Sequence, residues 1–63
     1  MEEIKLSIHL LDIPKFIKLR DDNKYLESVI EEFDGGWLVQ EKDTPEIQRI
    51  LNKNNIKHTF KWI

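Results

Sequence analysis

The chain has 63 residues, 40% hydrophobic and 35% charged, with no cysteine and a formal net charge of −2. It is one small domain near the lower limit for independent folding, too apolar for a disordered chain and too charged for a membrane protein. Lack of cysteine excludes disulfides and thiolate metal sites. The start MEEIKLSIHLL is acidic first and too short in its apolar run for a signal peptide or span, so a soluble cytoplasmic protein is expected.

Ile4, Leu6, Ile8 and Leu10 alternate with Glu3, Lys5, Ser7 and His9, the period-two pattern of a strand with one buried face. Asp12 can then cap a helix that takes Pro14 in its first turn. Ile13, Phe16 and Ile17 share one helical face; Leu26, Val29, Ile30 and Phe33, with Tyr25 alongside, share another. At about 100° per residue the two sets are roughly 180° out of phase, so one straight helix cannot bury both. Asp21-Asp22-Asn23 lies between them and is rich in capping residues, which predicts a short helix over 13–20 and a longer one over 23–33.

Asp34-Gly35-Gly36 is expected to end the longer helix, because glycine accepts the left-handed conformation of a C-cap. Trp37, Leu38 and Val39 make a short strand. Thr44 fits the N-cap of a third helix, Pro45 its first position, and Glu46 the positive end of its dipole. Ile47, Ile50 and Leu51 form the buried stripe, and Asn54 or Asn55 ends the helix. In the closing strand Ile56, His58, Phe60 and Trp62 alternate with Lys57, Thr59, Lys61 and Ile63; the first set is assigned to the core and the second to an open face.

These elements predict a two-layer α+β domain in the order β-α-α-β-α-β, with a three-stranded mixed sheet and its helices on one face. A right-handed crossover through residues 12–35 would make the first two strands parallel. The closing strand would pair antiparallel on the other side, leaving the first strand central in a truncated split β-α-β. A domain this small, without disulfides, relies on efficient packing or self-association, so a homodimer is compatible with the sequence.

No residue pattern points to catalysis. Ser7 and Ser28 sit inside regular elements, Gly35-Gly36 is not a phosphate loop, and the strand residues His9 and His58 read as ordinary sheet positions. A non-enzyme without cofactor or metal is expected; Asp21, Asp22 and Asn23 are oxygen-rich but lack a calcium-loop spacing. Charge is more informative. Residues 1–20 hold four basic and three acidic groups, residues 21–46 two and nine, and residues 47–63 four and none.

On the predicted 23–33 helix, Glu27 and Glu31 fall at i and i+4, with Asp34 at i+7 and Glu32 beside them. Like charges at that spacing cost a few tenths of a kcal/mol, which suggests a basic protein partner as well as a solvated face. Trp37, after two glycines, either anchors that interface or seals the end of the core. The leading expectation is a small regulator or inhibitor that docks through Glu27, Glu31, Asp34 and Trp37. The alternative is a nucleic-acid-binding module using Lys53, Lys57 and Lys61, with Lys5 and His9 on the open sheet face. Against it, alternation separates Phe60 and Trp62 from Lys57 and Lys61.

Overall fold

A computed structural model describes residues 3–62. Ile63, assigned above to the open face, lies outside the described residues. In chain order the elements are β1 (Glu3–Ile8), a 3₁₀ turn (Leu10–Asp12), α1 (Ile13–Asp22), α2 (Lys24–Val29), β2 (Glu31–Phe33), β3 (Gly36–Gln40), a second 3₁₀ turn (Glu41–Asp43), α3 (Thr44–Lys53) and β4 (His58–Trp62). The class is α+β, but the sheet has four strands rather than three, in the order β2-β3-β1-β4. All neighbours are antiparallel. The connectivity is two interleaved split β-α-β units, the ferredoxin-like order.

The additional strand corrects three expectations. The longer helix stops at Val29, and Glu31–Phe33 pair with Gly36–Leu38 instead of continuing it. Asp34 (φ 49°) and Gly35 (φ 77°) both lie in the left-handed region, the signature of a two-residue type I′ hairpin turn. The glycine is therefore a hairpin residue, not a helix C-cap. The two strands that flank it turn the chain back, so Trp37–Val39 run antiparallel to β1, with Leu6 opposite Trp37 and Ile4 opposite Val39. The crossover still delivers a strand parallel to β1; it is β2, at the sheet edge, with β3 between.

The break between the first two helices forms where the phase argument places it. Asn23 closes α1, and its Oδ1 accepts the Leu26 N–H at 3.2 Å, capping α2. Two other caps differ. Asp12 makes no cap bond; its Oδ2 accepts the Lys57 N–H at 3.0 Å, while His9 N–H donates to Lys57 O at 2.9 Å. The first 3₁₀ turn is thus fastened to the entrance of β4. Thr44 donates its hydroxyl to Glu41 O at 2.8 Å, closing the second 3₁₀ turn, and Pro45 sits in the first turn of α3 as its missing N–H requires.

The helices cover one sheet face. Ile4, Leu6 and Ile8 of β1 and Trp37 and Val39 of β3 meet Phe16, Leu26, Ile47 and Leu51 from the helices, with Ile30 and Ile56 closing the cluster. Each large side chain so buried contributes about 1.5–3 kcal/mol. Phe16 packs edge-on against Trp37 with ring centroids 4.7 Å apart. Leu10 is not part of β1 and Ile17 is not part of the core: they are 76% and 43% exposed.

Two stability changes follow from this backbone. A Cβ at Gly35 would meet nothing within 4 Å, so Gly35→Ala is expected to lower stability by about 1 kcal/mol through its left-handed φ alone, and Gly35→Asn by less. Asp12→Ala should cost about 1 kcal/mol by leaving the Lys57 N–H without its acceptor, whereas Asp12→Asn keeps most of the bond. Urea unfolding midpoints of the four variants check both.

Candidate functional site

Glu27 is exposed on α2, Glu31 and Glu32 are exposed on β2, and Asp34 is exposed in the hairpin turn. The i, i+4, i+7 helical stripe does not exist, because the helix ends before Glu31. What groups the carboxylates is the sheet edge: β2 pairs with β3 on one side and is open on the other. Register with Leu38 turns Glu31 to the uncovered face, and register with Trp37 turns Glu32 to the helix-bearing face. The edge therefore presents negative charge to both sides of the sheet. A cleft of ≈ 290 Å³ adjoins it, lined in part by Ser28, Glu31, Leu38, Gln40, Lys42 and Asp43.

Among the described residues no close ion pair neutralises this charge. The single one that forms among them lies between Glu46 and Arg49, one turn apart on α3. The Arg49 hydrogen bonds hold the Glu46 carboxyl below its usual range and raise the guanidinium. Tyr25 lies near the same end: partial burial, then the charges of Asp43 and Glu46, push its phenol up.

Trp37 is the one member of the predicted contact set that the fold removes from the surface. It is 8% exposed and packed on Phe16, so it seals the core and does not anchor an interface. Its indole Nε1 is buried with no hydrogen-bond partner.

The basic residues are only partly brought together. Lys61 stands directly opposite Lys5 on the uncovered face. Lys57 is exposed just before β4, with its backbone tied to His9 and Asp12. Lys53 belongs to the last turn of α3, in the helix layer, away from Lys61. As alternation required, His58, Phe60 and Trp62 share the face of Ile8, Leu6 and Ile4. Yet Trp62 is 56% exposed and does not enter the core, since β4 is an edge strand that the helix layer covers incompletely. Phe60 packs against the core only in part.

Both imidazoles are engaged with nearby groups. His58 Nδ1 is 2.9 Å from Ile56 O, and the ring meets Phe60 edge-on at 5.3 Å. His9 Nδ1 accepts the Leu11 N–H at 3.3 Å. Ser28 donates its hydroxyl to Tyr25 O at 2.8 Å. Among the described residues, no three His, Asp or Glu side chains converge as a metal site, and no helix is long and apolar enough to cross a membrane.

Sequence reading missed one surface feature. Leu10 and Leu11 are 76% and 81% exposed in the turn after β1. The signal was present: two successive leucines break the alternation, so at least one must leave the core face. No protein-family model, curated protein or solved structure matches the chain.

Tyr25 is the only tyrosine, so an absorbance titration reads it alone. Its midpoint should lie above that of a free phenol and fall toward it in Asp43→Asn, because a nearby carboxylate disfavours phenolate. An unchanged midpoint in that variant would contradict the assigned electrostatic cause.

Proposed function

We propose that the chain is a small non-catalytic binding protein, a regulator or inhibitor, that docks on a basic protein surface through its acidic sheet edge. The observation that carries this reading is the run Glu31, Glu32 and Asp34: exposed, grouped at an open edge strand, with Glu27 nearby in the chain and without a partner cation among the described residues. The fold itself hosts many functions and does not argue for any one of them. The edge supports a specific mode. A strand with free backbone donors and acceptors and acidic side chains on both faces suits an extended basic segment, which gains main-chain bonds and charge contacts together. Long-range attraction would speed the encounter and weaken as salt screens it.

A second reading rests on the directly opposed Lys5 and Lys61, like charges that disfavour the sheet unless an anion bridges them. Nucleic acid would supply such anions. Against it, the uncovered faces of the two central strands carry Glu3, Lys5, Ser7, Gly36, Leu38 and Gln40, and the exposed aromatic on that face, Phe33, stands on the acidic edge beside Glu31 rather than with the lysines.

Affinity capture from the source organism's lysate, with and without nuclease, separates the two. Under the leading reading a protein is captured in both arms, elutes as salt rises, and is lost with Glu31→Lys/Glu32→Lys. Capture that survives this double reversal would remove the acidic edge as the docking site. Capture abolished by nuclease, or by Lys5→Glu/Lys61→Glu, would favour nucleic acid.

A further inference from the structure

The outer edge of β4 is the second open edge of the sheet and differs in kind from β2. It is five residues long against three and carries no acidic group. Trp62 is at one end, 56% exposed. The 3₁₀ turn with Leu10 and Leu11, 76% and 81% exposed, follows β1 and lies on the inner side of β4. That turn is held beside β4 because the residues flanking the leucines, His9 and Asp12, both bond the backbone of Lys57. Phe60, between the two ends, is only partly covered.

We propose that this edge is the site of a two-fold homodimer, in which β4 of one copy adds antiparallel to β4 of a second and joins the two sheets. The register is determined by the side chains. With the axis at Phe60, Phe60 faces Phe60 of the second copy, Trp62 faces His58, and Lys61 faces Thr59. Moving the axis to Lys61 sets Lys61 against itself, and moving it to Thr59 sets Lys61 against Lys57. A shift by a single residue in the pairing flips one copy and puts its helix layer on the opposite face. Of the registers that keep both helix layers on one side and oppose no like charges, the Phe60-centred one pairs all five residues of β4.

The lysines of β4 thus select the register instead of barring association, although lysine on an edge strand commonly does bar it. The arrangement is self-complementary and closes at two copies. It also supplies what a 63-residue chain without cysteine lacks, additional buried apolar surface. The alternative second-copy contact, β4 against the acidic β2 edge, has charge complementarity. It offers only three residues of β2 to pair with and does not close.

Sedimentation equilibrium of the full chain, from about 10 µM to about 1 mM, tests the proposal, that range spanning weak to moderate association. Thr59 is exposed, so Thr59→Glu and Thr59→Lys are expected to keep the fold, and circular dichroism checks this. The wild type should form a dimer and nothing larger. Thr59→Glu places a carboxylate across from Lys61 at two symmetric positions and should tighten the dimer about 2- to 30-fold; Thr59→Lys should loosen it by a similar factor. Glu31→Lys should leave it unchanged. A monomer throughout the range overturns the proposal, as does a dimer that responds to neither or in the same direction to both Thr59 changes. Larger assemblies lost with Glu31→Lys would identify the head-to-tail contact in its place.

Discussion

The structure depends on the pairing of β1 along both edges. Ile4, Leu6 and Ile8 are 0%, 0% and 9% exposed because β3 and β4 flank the strand while the helices close over its inner face. Period-two geometry then dictates the rest of the sheet. Every residue opposite those three points to the same side, which sends Trp37 and Val39 into the core and His58, Phe60 and Trp62 toward it. Lys5 and Ser7 are turned outward by the same rule, and Lys61 and Thr59 follow them. A central strand with a clear hydrophobic alternation leaves little freedom of register to its neighbours.

The surface is what this arrangement leaves uncovered. Three short helices shield the middle of four strands, and the two edges keep both unpaired backbone and side chains of opposite character. The β2 edge is short and acidic and the β4 edge longer and basic, and each exposes an aromatic, Phe33 on one and Trp62 on the other. Separation of charge along the chain thus becomes separation across the sheet, because the acidic middle segment supplies one edge strand and the basic end supplies the other. With a single close ion pair among the described residues, on α3, the charges act outward and contribute little internal stabilisation.

Much of this was legible from local pattern. The alternation of β1 located the central strand, the phase difference between the Phe16 and Leu26 sets located the break at Asn23, and Pro45 marked the start of α3. The misreadings share a cause. Glu31 and Glu32 are good helix formers, so residues 23–33 read as one helix; pairing with β3 overrode that propensity. Asp-Gly serves a helix end or a hairpin equally well, and only the neighbouring strand distinguishes them. Asp12 looked like a cap because its real partner, the Lys57 amide, is 45 positions away. Beside two glycines Trp37 could either anchor an interface or seal the core, and its position opposite Leu6 decides for the core.

The sequence by itself determined the class of the domain, its central strand, the faces taken by the residues of β1 and β4, and the uneven distribution of charge. These follow from side-chain periodicity and composition, which are local quantities. Tertiary structure alone decided that residues 31–33 form an edge strand, that every neighbouring pair is antiparallel, and that Trp62, Leu10 and Leu11 remain outside the core. Those outcomes depend on which distant segment supplies a hydrogen-bond partner and on how far three short helices reach across four strands. Neither quantity is encoded in the spacing of neighbouring residues.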